Sequence, residues 1–143
     1  MGLQASGKST FYRTRFAGTH EHVSKDLFRR NKNRNRRQEW LVREALRSGR
    51  SVVVDNTNPA PEDRAPLIPL AREHGARTVA YSFDSGVRES REGNRRREGE
   101  ARVPDVAIHA AAKKLVPPSR AEGFDEVYVV RILEGSGFEV LPL

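Results

Sequence analysis

The sequence predicts an α/β fold with a mostly parallel sheet flanked by helices. Two observations carry that expectation. Short apolar runs, rich in β-branched residues, recur along the chain, with helical patterns lying between them; strands that alternate with helices in this way build parallel sheets. The chain also opens on a glycine loop that leads straight into a helical pattern, the second half of a strand–loop–helix unit. With 143 residues the chain has the length of one domain, since domains run to about 100–200 residues, and 1–143 reads as a single unit.

The elements follow in order. Lys8–Phe16 reads as the helix after the loop, and His22-Val23-Ser24 as a short strand. Gln38–Ser48 places Leu41, Val42, Ala45 and Leu46 on one helical face, with Gly49 as its stop. Trp40 lies on the same amphipathic helix and is assigned to the core. Val52-Val53-Val54 is a continuous apolar run, the mark of a strand buried on both faces. Pro61–His74 is helical, but Pro66 and Pro69 lie inside it. Each removes a backbone donor, so a late start or a kink is expected. Val79–Phe83 is the next strand, and Gly86–Gly99 a polar, exposed helix. Asp105–Leu115 is an Ala-rich helix that closes at Pro117-Pro118. Val127–Leu133 is a strand, and Gly137–Leu141 is expected to form an edge hairpin with it.

Composition narrows the function. Lys and Arg number 26 against 19 Asp and Glu, a net charge of +7, which favours anionic partners such as nucleotides and nucleic acid. The absence of cysteine excludes a disulfide scaffold and a zinc–thiolate site and fits a reducing cytoplasm. No run of about 18 apolar residues is present, so no membrane-spanning helix is expected. Met1–Thr10 carries no apolar signal core.

Gly2-Leu3-Gln4-Ala5-Ser6-Gly7-Lys8-Ser9-Thr10 fits G-x-x-x-x-G-K-[ST] in full, the signature of a P-loop NTPase. Its glycines permit a backbone whose N–H groups converge on phosphate oxygens. Lys8 can reach the β- and γ-phosphates of ATP, and the Ser9 hydroxyl suits Mg²⁺. Such a loop follows a buried strand, yet only Met1 precedes Gly2. The expectation is that the first strand of the sheet is missing from this chain, that the natural protein starts upstream, and that a chain starting at Met1 has low stability.

Val52-Val53-Val54-Asp55 has the form of a strand delivering an acid to the carboxyl edge of the sheet, where open α/β sheets bind ligands. Asp55 is therefore a second candidate for Mg²⁺. Alternatively, Asp55-Asn56 is a turn-forming pair ahead of Pro59.

Val53-Val54-Asp55-Asn56-Thr57-Asn58-Pro59, together with the glycine loop, resembles the kinase domain of 5′-hydroxyl polynucleotide kinases, and in particular the kinase module of bacterial bifunctional enzymes that also carry an HD-type phosphatase. The likeness continues through Asn94-Arg95-Arg96-Arg97-Glu98, Val103-Pro104-Asp105, Pro117-Pro118 and Ala121-Glu122-Gly123-Phe124-Asp125-Glu126. It implies a P-loop kinase with a helical lid over about residues 86–104, using ATP and Mg²⁺ and phosphorylating the 5′-hydroxyl end of RNA or DNA. No phosphatase module is present in this sequence. By the same resemblance, Val23-Ser24-Lys25-Asp26 matches the segment that holds the general base, so Asp26 would accept the proton of the attacking hydroxyl. Arg29 would bind a phosphate of the acceptor strand, and Asn56 would lie near the substrate. Arg97 would be the lid arginine on the transferring phosphoryl group, a role Arg95 or Arg96 could equally fill. Locally, Asp26 also reads as a helix N-cap.

Chemistry agrees with these roles. Phosphoryl transfer depends on positioning and on neutralising oxygen charge, and a hydroxyl nucleophile needs an acceptor such as a carboxylate within about 2.6–3.2 Å. The run Arg29–Arg37 holds six basic residues and no acid, which suits a strand-backbone groove but equally a solvated loop. His20 and His22 share a strand face without a third ligand and are read as structural. Two other readings stay open: a P-loop kinase for a small-molecule hydroxyl, and an ATP-binding module without transfer chemistry.

Overall fold

The computed structural model describes residues 1–135 and 137–143. Its strands are β1 (His20–Val23), β2 (Ser51–Val54), β3 (Val79–Phe83), β4 (Glu126–Ile132) and β5 (Phe138–Pro142). Its helices are α1 (Lys8–Arg15), α2 (Arg34–Arg47), α3 (Pro61–Arg64), α4 (Leu67–Glu73), α5 (Val87–Arg95) and α6 (Asp105–Lys114), and a 3-10 turn spans Lys25–Phe28. β1 and β2 pair in parallel, His20 opposite Ser51 and Val23 opposite Val54. β3 and β4 also pair in parallel, and β5 returns antiparallel on β4 as the expected hairpin. The described strands therefore form two sheets, β1-β2 and β3-β4-β5.

Three apolar clusters hold the helices to the sheets. Val23, Val42 and Leu70 join β1, α2 and α4. Phe11, Phe83 and Val130 join α1, β3 and β4, with Phe11 edge-on to Phe83 and Phe138 at 5.4 and 5.1 Å between ring centroids. Leu3, Ile108 and Ala111 fasten the glycine loop to α6. The predicted kink in 61–74 is a break. α3 ends at Arg64, and α4 begins after Pro66, while Pro69 is accommodated within α4.

Three expectations need correction. Val52, Val53 and Val54 are only half-buried, because the edge of β2 opens onto a cavity of about 840 Å³ that also reaches β3. α2 starts four residues earlier than Gln38, because the Asn33 side chain accepts the Arg36 N–H and caps it; the end of the basic run is thus helical. Trp40 is 50% exposed rather than core. The buried face of α2 is Gln38, Val42 and Ala45, and a residue two positions from both Gln38 and Val42 points the other way on a 3.6-residue period.

Candidate active site

The site gathers where β1 and β2 end and the glycine loop begins. Ala5 and Gly7 take positive φ, 57° and 88°, which curls the loop into a concavity of N–H groups, the arrangement that favours anions. Gly2 is required by contact as well as by its φ of 144°, since a Cβ there would lie 2.8 Å from that of Phe83. Gly7 caps α1 and accepts from Phe11 N–H at 2.9 Å. Ser6 is buried, and Gln4 Oε1 is buried without a hydrogen-bond partner. Thr10 lies on the exposed side of the first turn of α1.

Lys8 folds back over its own loop and donates to Gly2 O at 3.0 Å, Leu3 O at 2.6 Å and Ser6 Oγ at 3.4 Å. Burial lowers its pKa to about 8. The Asp55 and Asp26 charges oppose that fall and Arg97 adds to it, so these groups all lie within electrostatic reach of the Lys8 ammonium. A depression of this kind reflects a desolvated cation, and an arriving phosphate would offer it the anionic partner that the loop carbonyls are not.

Asp55 is 7% exposed. It accepts Ser9 Oγ–H at 2.7 Å and lies 2.9 Å from His22 Nε2, both on Oδ2. Tyr12 stacks on the His22 ring, with centroids 4.1 Å apart. Ser9 and Asp55 are hard oxygen donors side by side, and among the described residues no group of three or more His, Cys, Asp or Glu could hold a metal. That donor set fits Mg²⁺, which binds through one or two carboxylates and phosphate oxygens rather than an all-protein cage. His22 was missed as part of the site. Its signal lay in strand register: His22 sits opposite Val53, one pair before the position that releases Asp55.

Asp26 lies within the 3-10 turn, not at its cap. Ser24 is the cap, and its Oγ accepts the Asp26 N–H at 3.3 Å. The Asp26 side chain is 73% exposed, and Arg29 Nη2 stands 3.6 Å from its Oδ1. Arg29 also donates to the Glu100 carbonyl, and Arg97 donates to the Ala101 carbonyl at 3.1 Å. One short turn after α5 thus meets both arginines. Of the three lid candidates, Arg97 alone is half-buried, while Arg95 and Arg96 are exposed. Asn56 uses both ends of its amide: Oδ1 accepts Lys25 N–H at 2.9 Å, and Nδ2 donates to Gln38 Oε1 at 2.6 Å. It ties the turn carrying Asp26 to α2.

The segment expected as a lid packs directly on the loop. A Cβ at Gly93 would lie 2.9 Å from Ala5 O, so α5 needs glycine there to approach the loop so closely. Asn94 is 1% exposed and exchanges two hydrogen bonds with the Val103 backbone, at 2.6 and 2.9 Å. This pins the hairpin between α5 and α6. Farther out, Glu122 of the Ala-Glu-Gly-Phe run faces the buried Arg64 at 3.3 Å, and Arg64 donates to Val116 O at 2.7 Å. That run braces the fold.

Glycine loop, acid at the strand end and basic hairpin over the loop together define a P-loop kinase-like nucleotide-binding domain. Residues 1–118 match the family described as AAA domain, and the chain belongs to that family. It is also 28% identical over 131 residues to the bifunctional polynucleotide phosphatase/kinase of Schizosaccharomyces pombe (strain 972 / ATCC 24843), covering 89% of this chain and 31% of that protein. The chain spans less than a third of the length of this relative. Among the described residues no helix is long and apolar enough to cross a membrane.

Proposed function

We propose that the chain transfers the γ-phosphate of ATP to the 5′-hydroxyl end of RNA or DNA. The observation that carries this reading is the pairing of Asp26 and Arg29 on one turn, with Arg29 reaching across to the lid backbone beside Arg97. An acceptor of protons, a binder of phosphate and a cation for the transferring group then border the same loop. Lys8 and the loop N–H groups hold the triphosphate. Ser9 and Asp55 would hold Mg²⁺, which would supply neutralisation of phosphate charge, and His22 orients Asp55. Asp26 accepts the hydroxyl proton, and Arg29 anchors the first phosphate of the acceptor. Arg97 faces the charge on the transferring group, and Asn56 keeps the base-bearing turn in place.

The test is incubation of the protein with labelled ATP, Mg²⁺ and a 5′-hydroxyl oligonucleotide. Label is expected at the 5′ end, and oligonucleotide affinity should fall steeply with salt, with a log–log slope of about −0.7 per phosphate contacted on a single strand. Labelling of small alcohols in place of the oligonucleotide would select a small-molecule kinase. Nucleotide binding with neither product would leave a binding module.

A second measurement follows from Trp40, the one tryptophan of the chain. It is half-exposed beside the basic start of α2, with the Arg37 guanidinium 4.8 Å from its ring centroid. Bases stack on such exposed aromatics, each contributing about 1–3 kcal/mol. An oligonucleotide is expected to quench the intrinsic fluorescence, and Trp40→Ala to weaken binding by about tenfold, the equivalent of 1.4 kcal/mol. Transfer without quenching would remove Trp40 from the track.

A further inference from the structure

Gln38 is the first buried residue of α2. Arg34, Arg36 and Arg37 ahead of it are exposed and Trp40 after it is half-exposed, whereas Gln38 itself is 4% exposed. A buried polar side chain calls for a partner. Here the partner is an amide 18 residues away: Gln38 Oε1 accepts Asn56 Nδ2–H at 2.6 Å.

The direction of that bond is set from the backbone outward. Lys25 N–H can only donate, so the atom of Asn56 that meets it at 2.9 Å is Oδ1. Nδ2 then faces the other way and requires an acceptor, which Gln38 supplies. Lys25 N–H, the Asn56 amide and Gln38 Oε1 thus form a relay of one polarity. It joins the 3-10 turn, the segment after β2 and the inner face of α2.

The turn depends on this relay for its place. Asp26 N–H and Leu27 N–H both bond to Ser24, to its Oγ at 3.3 Å and to its carbonyl at 3.0 Å. Those two bonds hold the shape of the turn but tie it to nothing else. The Lys25 N–H bond alone of the three reaches across 31 residues. Phe28 packs against the cluster of Val23, Val42 and Leu70 and fixes the far end. The Asp26 side chain is 73% exposed, so the backbone that carries it decides where it stands.

We propose that Gln38 is a positioning residue for phosphoryl transfer, holding Asn56 in the one orientation that seats the turn of Asp26. This role, which rests on the transfer reading above, gives α2 two tasks. Its outer face presents Arg34, Arg36, Arg37 and Trp40 to the acceptor strand, and its inner face sets the proton acceptor through Gln38. Without Oε1 the Asn56 amide loses the group that selects its orientation. Turning that amide over would bring Nδ2 against Lys25 N–H, donor against donor. A misplacement of about 1 Å at reacting groups can cost about 10²-fold in rate.

The experiment uses two variants of the full chain. Gln38→Met removes the accepting oxygen at nearly constant length, and Asn56→Ala removes the middle of the relay without altering the buried face of α2. Transfer to a 5′-hydroxyl oligonucleotide is measured per ATP-binding site, titrated with a non-hydrolysable ATP analogue, so that loss of folded protein does not count. In each variant kcat is expected to fall by about 10–100-fold, with KM for ATP within about twofold of the parent. Amide exchange at Lys25 should quicken by about tenfold. The double variant should be no slower than the slower single one, since both break the same relay. In an Asp26→Asn background each should add less than about twofold, because no carboxylate remains to be positioned. Unchanged exchange at Lys25, or a full further loss on top of Asp26→Asn, would overturn the role of Gln38. A parent that labels the oligonucleotide no faster than its Gln38→Met and Asn56→Ala variants would overturn it alone and leave the transfer reading standing. A parent that labels no oligonucleotide would overturn both, whatever the exchange at Lys25 shows.

Discussion

Asp26→Asn is expected to lower phosphoryl transfer by about 10²–10⁴-fold, the usual contribution of a positioned general base. ATP affinity should change by no more than about twofold, because a proton acceptor acts in the reaction and not in ground-state nucleotide binding. The substitution keeps the shape of the side chain. It also leaves the local frame in place, since the turn is capped by Ser24 and tied by Asn56 to Lys25 N–H, not by the Asp26 carboxylate. Because the side chain is 73% exposed, the change should cost little stability, and surface changes usually lie within about 0.5 kcal/mol. Single-turnover transfer beside a nucleotide-binding titration checks both halves. Equal transfer by variant and parent would remove Asp26 as the base.

How far the sequence could lead depended on the range of the interaction. The loop Gly2–Thr10 was legible because its geometry is local: glycines, Lys8 and Ser9 act within one turn. The strands were legible from their apolar runs, and the break at Pro66 from the missing amide. The start of α2 was not, because a run of Arg and Asn has no hydrophobic period to read; one side-chain cap at Asn33 decides it. Nor was the exposure of Trp40, which lies on the amphipathic helix in sequence but on its outward face in space. His22 needed the register of β1 against β2 before its contact with Asp55, 33 residues away, could be seen. The half-burial of Val52–Val54 needed the cavity beside them. In each case the deciding partner is distant in the chain or absent from the pattern.

Arg97→Ala is expected to reduce kcat by about 10³–10⁵, the range for an arginine that meets transition-state charge in related NTPases. Arg95→Ala and Arg96→Ala should each stay within about threefold of the parent, as exposed cations away from the reacting group contribute little. The contrast rests on placement. Arg97 is the half-buried member of the three, it bonds to the Ala101 carbonyl beside the turn that Arg29 also meets, and its charge already depresses Lys8. Two cations near each other raise each other's energy, and a triphosphate between them reverses the sign. The same placement predicts that Arg97→Lys recovers part of the lost rate but not all, because an ammonium keeps the charge and loses the planar fork. ATP affinity should fall less than kcat in Arg97→Ala, since the contact strengthens as charge moves onto the transferring oxygens. Rates for all four variants at saturating ATP and oligonucleotide decide the matter. A large loss in Arg95→Ala or Arg96→Ala, with Arg97→Ala unaffected, would move the role to that neighbour.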